Sequence, residues 1–525
     1  MAQPKRLLVI VAGGGYTNAA PLLELSSILA NRGYMIDFAT LAGRQQWLSN
    51  CPFVSRLHIV GPAIPKEHEE ESYERMSQWA TNSICNWSTV FAAKKYLESS
   101  WHYVYHDLTQ LVLDPATRPD FILADYLVDA VRDVCFEHDV PFAMHWPQMP
   151  TGMMHASYIP GIPGLQVEVL TSEFATLWQR LRNAVRIYTA LPNLLEYQHW
   201  VKQMRQSAGV FRQLPLLPRP DYLCLVNSFF ALEAAKEIPP NVAAIGPVLA
   251  DNVDKLTGPF SSFLKSRSRV LYIALGTHVL FPHRVLADLL SGTITALRAG
   301  IIDGIIWAVS PKARRKLDTS ALLPSPTYSG NEITLSSLLE NKHPSILTAK
   351  FAPQRPILHD PRVAVFISHA GASSTNEAVV AGIPVITLPA YFDQIQNAMR
   401  LRDAGVSVPL QKETLSASDV TAAITRILDD IRSDGPVMAN VRRVCGIARI
   451  ATHRKYLAVD LIEEVLIDWQ GRQRERQLGV ERPRGMHLET AEARMPRWKA
   501  RNWDLFGFMV APVLLVAAIT MTLFF

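Results

Sequence analysis

The chain has 525 residues, 49% of them apolar and 19% charged, a composition that excludes a disordered polypeptide and allows two or more buried cores. Its net charge is +5, yet residues 471–504 alone hold nine Arg/Lys against five acids. The rest is near neutral and lacks the basic face that nucleic-acid phosphates require. Five cysteines (Cys51, Cys85, Cys135, Cys224, Cys445) form no CxxC and are odd in number, which favours reduced thiols over a disulfide framework or a metal cluster.

Residues 1–242 alternate strand and helix patterns. An apolar run, Leu7–Val11, leads into the glycine turn "AGGGYTN" and then a helix with Leu22, Leu25, Ile28 and Leu29 on one face. Further strands are expected at 36–39, 121–124 and 222–226. The stretch "KEHEEESYER", 66–75, reads as a solvated loop or helix face. The run Phe174, Leu177, Trp178, Leu181, Val185, Tyr188 has helical spacing, with Arg180, Arg182 and Arg186 nearby. Core or a cleft lid is the expected use of that face, a membrane-surface helix the alternative. Residues 243–252, with Gly246-Pro247, read as a linker. A second alternation occupies 253–440, with strands expected at 269–276, 304–310, 345–351, 363–369 and 383–389. The fold class is therefore α/β, with two Rossmann-like domains facing a cleft. Residues 441–504 read as C-terminal helices and a basic stalk. The final segment Leu505–Phe525 carries no charge. At about 1.5 Å per residue such a helix matches a hydrocarbon core of roughly 30 Å, so a transmembrane helix is expected there. Arg494, Arg497, Lys499 and Arg501 before it place the body on the cytosolic side, at the endoplasmic reticulum. The N-terminal apolar run is too short for a secretory signal.

Chemistry concentrates in "FAPQRPILHDPRVAVFISHAGASSTNEAVVAGIPVITLPAYFDQIQNA", 351–398. The strand ending at His369 runs into small residues, Ala370 to Ser374, at the start of a helix. Exposed backbone N–H groups at a helix N-terminus form a phosphate cradle, to which Ser373 and Ser374 add hydroxyls. Glu377, one turn on, suits both hydroxyls of a ribose. Asp393-Gln394 offers acceptors and donors to a polyol, and Phe351 offers a flat face to a base. Each feature alone is commonplace; their order makes them a candidate nucleotide-sugar site.

This block resembles the donor-binding signature of family 1 glycosyltransferases, the UDP-sugar-dependent enzymes of GT-B fold. The resemblance implies that Phe351 takes the place of the tryptophan stacked on uracil, followed by Ala352-Pro353-Gln354. It implies that His369, Gly371 and Ser374 meet the phosphates, Glu377 the ribose, and Asp393 with Gln394 the sugar; Asn397 also fits. Ala372 and Ser373 depart from the family's usual residues. "YIALGT", 272–277, is similar to the first donor-domain strand, with Gly276 and Thr277 near the phosphates. The tail resembles the stalk and membrane helix of the animal-type enzymes. No metal or separate cofactor is implied, the UDP-sugar being a co-substrate.

The glycine turn is the point of departure. As a dinucleotide fingerprint it offers Gly13, Gly15 and the acidic Asp37, but Asn18 stands where the third glycine belongs, so a nicotinamide-dependent oxidoreductase is the remote alternative. In the resembled family this loop carries a histidine that deprotonates the acceptor. Counting back from Pro21 puts it at Asn18, while the supporting aspartate is present as Asp125. Tyr16, His145 and His155 are possible replacements for the base. Two readings follow: an inverting hexosyltransferase acting on a lipophilic small molecule (a secondary metabolite, phenol, lipid or sterol), or a catalytically impaired nucleotide-sugar-binding homologue working with a protein partner. The acceptor domain's "FAMHWPQMPTGMM", 142–154, suits an apolar acceptor or ordinary core packing alike.

Overall fold

The computed structural model describes residues 5–79, 87–213, 219–317, 334–480 and 485–524. Cys85 and Asn86 lie outside the described residues; Cys51, Cys135, Cys224 and Cys445 are free thiols.

Two parallel sheets carry the architecture. The first holds β1 (Arg6–Val11), β2 (Met35–Thr40), β3 (Val54–Ile59), β4 (Phe121–Asp125), β5 (Phe142–Trp146), β6 (Leu223–Val226) and β7 (Val242–Ala244), in the order β3-β2-β1-β4-β5-β6-β7. The second holds β8 (Val270–Ala274), β9 (Gly304–Ala308), β10 (Ile346–Ala349), β11 (Val363–Ser368), β12 (Val385–Thr387) and β13 (Ser407–Pro409), in the order β10-β9-β8-β11-β12-β13. Strands covered on both faces need apolar residues at consecutive positions. In β1, Leu7, Val9 and Val11 pack with Leu22, Leu25 and Leu29 of the helix Tyr16–Asn31, while Leu8 and Ile10 join the core on the opposite face. Each sheet reverses its winding once: between β1 and β4 in the first, between β8 and β11 in the second. Ligands of open α/β sheets bind beyond the carboxyl ends of the strands at such switch points.

The two units are held together at several places. The charged stretch at 66–75 belongs to a helix, Lys66–Ser77, whose Glu69 pairs with Lys312 (2.5 Å) and Glu70 with Arg315 (2.6 Å), so these acids bind the second unit rather than bulk water. Arg400 Nε lies 3.0 Å from Glu233 Oε2 with both side chains almost wholly buried, and Arg400 Nη1 donates to Gln148 Oε1 at 3.0 Å. The long helix Arg454–Gln477 crosses back to the first unit, where Ala458, Val459, Ile462, Val465 and Leu466 complete the core under β1. At its start Lys455, fully buried, donates to Glu24 Oε1 (2.6 Å), Asp251 Oδ1 (2.7 Å) and the Leu249 carbonyl (3.0 Å).

Two expectations are corrected. Trp503–Phe524 is helical, but among the described residues no helix is long and apolar enough to cross a membrane. The transmembrane anchor at 505–525 falls, and with it the membrane partnership, the endoplasmic-reticulum placement and the cytosol-facing orientation. The second correction concerns the apolar face at 174–188. Phe174, Leu177, Trp178, Leu181, Val185 and Tyr188 are all exposed, Phe174 at 91%, so the face is not core.

Candidate active site

The glycine turn follows β1 and Asp125 ends β4, so the two flank the first switch point. Gly14 has φ +68°, and a Cβ there would lie 2.4 Å from Asn18 Oδ1; both conformation and space demand glycine. Asn18 Nδ2 donates to Asp125 Oδ2 at 3.2 Å, and the Leu127 N–H donates to Asp125 Oδ1 at 3.1 Å. The pair expected from the sequence is therefore brought together, with a carboxamide in the position of an imidazole. Asp125 is 1% exposed, and burial pushes its carboxyl up to about 7 against the pull of these hydrogen bonds. Of the replacements for the base, Tyr16 and His155 are exposed and His145 is buried beside Asp125, with neither ring nitrogen partnered among the described residues. Asp37 is buried within β2 against Arg6 (3.7 Å) and His58 (3.3 Å), so it is not free to hold a ribose.

The second switch point gathers the candidate donor residues. Gly276 and Thr277 follow β8, and His369 follows β11. The imidazole of His369 is wedged between two glycines: a Cβ on Gly276 would approach its Nε2 to 2.7 Å, one on Gly371 to 2.5 Å. Burial holds this histidine down to about 4 against the pull of a hydrogen bond with the Ala274 backbone, so it is neutral near pH 7. Gly371 caps the helix Ala372–Ala381, whose first turn holds Ser373 and Ser374. Gln354 Nε2 donates to Glu377 Oε2 at 2.8 Å and to Ser374 Oγ at 3.1 Å, and Ser373 Oγ donates to Glu377 Oε1 at 3.3 Å. Burial raises the Glu377 carboxyl above its ordinary range, with the Gln354 bond opposing it. Phe351, in the loop after β10, is 80% exposed and leaves its ring face open.

Asp393 and Gln394 open the next helix, Asp393–Asp403. Gln394 turns back on its own loop, its Oε1 accepting from the Ala390 N–H at 3.0 Å, which leaves its amide NH2 as the group to offer a ligand. Asp393 Oδ2 accepts from Asn397 Nδ2 at 3.3 Å; Asn397 in turn accepts from Arg400 at 3.0 Å. Burial lifts the Asp393 carboxyl to about 6, with Arg400 and backbone N–H groups opposing. A chain of polar contacts thus runs from Asp393 through Asn397 and Arg400 to Glu233 of the first unit. Arg400 and His278 are both site residues that motif reading misses. Arg400 lies one turn past Gln396 on a helix already singled out, whereas His278 enters from the loop after Gly276-Thr277 and carries no sequence signal beyond that neighbourhood.

Known proteins resemble this chain in sequence and in fold. Residues 66–442 match the family model "UDP-glucoronosyl and UDP-glucosyl transferase". A UDP-glycosyltransferase of Fusarium mangiferae, FPY2, is 37% identical over 529 aligned positions covering 96% of each chain. A UDP-glycosyltransferase of Aspergillus ustus, stmC, is 39% identical and covers 98% of this chain and 96% of its own. The Medicago truncatula UGT71G1 structure, complexed with UDP-glucose, superposes with a TM-score of 0.56 at 17% identity, covering 88% of this chain and 98% of its own, and so shares the GT-B fold. The chain belongs to the UDP-glucuronosyl and UDP-glucosyl transferase family and is an enzyme that moves a sugar from a UDP-sugar donor.

Proposed function

We propose that the enzyme transfers a hexose, with inversion at the anomeric carbon, to an acidic hydroxyl or carboxyl of a lipophilic small molecule. One observation carries this reading: Asn18 is hydrogen-bonded to Asp125 at the first switch point, opposite a fully furnished cradle at the second. In this reading Glu377 holds the ribose, with Gln354 fixing its carboxylate. His369, the helix N-terminus at Gly371 and the hydroxyls of Ser374 and Thr277 meet the diphosphate. Asp393 and the Gln394 amide hold the sugar, and the exposed ring of Phe351 stacks on uracil. The departing diphosphate is stabilised by these dipoles and donors, without a metal ion. An amide cannot accept the acceptor's proton, so Asn18 orients the nucleophile. Acceptors that ionise readily need least help from a base, because general-base assistance is typically worth 10²–10⁴-fold.

The lipophilic part of the proposal draws on the apolar stretch at 142–154 only in part, since Met144, Met149 and Met153 are spent in the core. The test is turnover of UDP-glucose with a panel of phenols, carboxylic acids and plain alcohols, with and without EDTA, read by mass spectrometry. Phenols and acids are expected to react well ahead of alcohols, EDTA to make no difference, and the product to carry the inverted anomeric configuration. Equal rates across the panel would refute the acceptor preference. The amide at the base position also favours a second reading, a donor-binding homologue dependent on a partner; UDP-glucose binding with no product from any acceptor would select it.

A further inference from the structure

The expected base is missing, yet a second imidazole stands at the same turn. The Cβ that Gly14 lacks would meet Asn18 Oδ1, and the one that Gly15 lacks would meet His278 Cε1 at 2.9 Å. Carboxamide and imidazole therefore pack against neighbouring glycines of one turn, although His278 comes from the other unit. It sits two residues after Gly276, the glycine that admits His369. Its position is thus between the donor cradle and Asn18, where an acceptor hydroxyl must stand to reach an anomeric carbon.

We propose that His278 is the general base of the transfer, taking over from the donor side the role that Asn18 cannot perform. The proposal rests on the transferase reading above. As the acceptor oxygen forms its bond to the anomeric carbon, its O–H proton passes to the imidazole. The bond from that carbon to the UDP oxygen breaks, UDP leaves with the electron pair, and the imidazolium returns its proton to solvent. In the tautomer whose Nδ1–H donates to Thr277 Oγ1, at 3.3 Å, Nε2 carries the lone pair that does this.

The ring is held for the task. Tyr73 stacks on it with centroids 4.5 Å apart and planes 21° apart, and Tyr391 Oη–H donates to the His278 carbonyl at 3.1 Å. The charged groups around it are Glu69 of the helix Lys66–Ser77, Lys312 of the short helix Pro311–Lys316 and Arg44 after β2. Burial lowers the imidazole to about 4; Lys312 and Arg44 push the same way and Glu69 opposes them. At pH 6–8 the ring is neutral and able to accept a proton. A base this weak suits acidic acceptors, in line with the preference expected from Asn18.

The experiment compares the unmodified enzyme with His278→Ala, His278→Gln and the double variant His278→Ala with Asn18→His, on a phenol and on a plain alcohol. UDP affinity is measured by calorimetry throughout. Both single variants are expected to lose about 10²–10⁴-fold in kcat while UDP affinity stays within about twofold. The double variant is expected to recover most of the rate, because its new imidazole is oriented by Asp125. Three outcomes would overturn the proposal: single-variant rates within about threefold of the unmodified enzyme, donor affinity falling in step with kcat, or a double variant that binds UDP normally and stays inactive. An unmodified enzyme that binds UDP but transfers to no acceptor would instead remove the transferase reading on which the proposal stands.

Discussion

Replacing Asp125 by Asn isolates the cost of burying a carboxyl at the end of β4. The side chain is 1% exposed and accepts from Asn18 Nδ2 and the Leu127 N–H. An asparagine keeps both contacts: its Oδ1 accepts from Leu127, and its Nδ2 donates to the Asn18 carbonyl oxygen once that amide flips. What it removes is the ionisation. The carboxyl is raised from its ordinary 3.8 to about 7, so between those values the folded chain holds a proton that the unfolded chain has lost. Stability from this residue is complete below about pH 3.8 and is lost as pH rises through about 7. At about 1.36 kcal/mol per pH unit, the loss reaches about 4 kcal/mol above pH 7. Asp125→Asn should therefore match the unmodified protein at pH 4.5 or fall slightly below it, and exceed it at pH 8.5. The gain in apparent melting temperature there should be roughly 5–10 °C. Differential scanning fluorimetry at both pH values is the assay. A difference in melting temperature that does not change with pH would refute the burial argument.

Glu377→Ala should weaken UDP binding by about 1–3 kcal/mol, the worth of hydrogen bonds to a charged group, as read by calorimetry; equal affinity would remove Glu377 from the donor site. Because ribose hydroxyls favour the ionised form of a carboxyl held above its ordinary range, UDP should bind tighter as pH rises through that range, and Glu377→Ala should flatten the dependence. Arg400→Ala leaves Glu233 buried without its guanidinium partner, a loss of about 3–5 kcal/mol in stability. It also cuts the contact that steadies Asn397 and Asp393, so KM for the UDP-sugar should rise; unchanged melting temperature and KM would show that the pair is idle.

Strong local patterns made β1, the glycine turn and the following helix legible, and likewise β8, β9, β11 and β12, whose apolar runs lie almost wholly buried. The strands that escape notice are those whose chemistry is mixed. β3 sits at a sheet edge with Ser55, Arg56 and Leu57 exposed, β7 and β13 are three-residue edge strands, and β5 ends in His145 and Trp146. The candidate donor residues from His369 to Gln394 were readable as a group because they lie within one strand–turn–helix unit and the helix after it, at fixed spacing. His278 and Arg400 were not, since each acquires its meaning from a partner in the other unit, at Gly15 and at Glu233, and no local spacing encodes that distance. The periodic face at 174–188 and the apolar tail at 505–525 show the converse: periodicity and hydropathy describe a segment's own surface and do not state what covers it.

The return of Arg454–Gln477 to the first unit bears on how this enzyme can be taken apart and recombined. Five of its apolar side chains form part of the wall beneath β1, and Lys455 joins Glu24 to the connecting segment at Asp251. The first unit is therefore discontinuous in the chain, built from residues 5–244 and from the helix Arg454–Gln477. A chimera made by a single crossover in the connecting segment would seat a foreign helix on this core and face Glu24 with a mismatched residue. A crossover pair, one in the segment at 243–252 and one just ahead of His453, would exchange the second unit as an insert and keep the first unit whole.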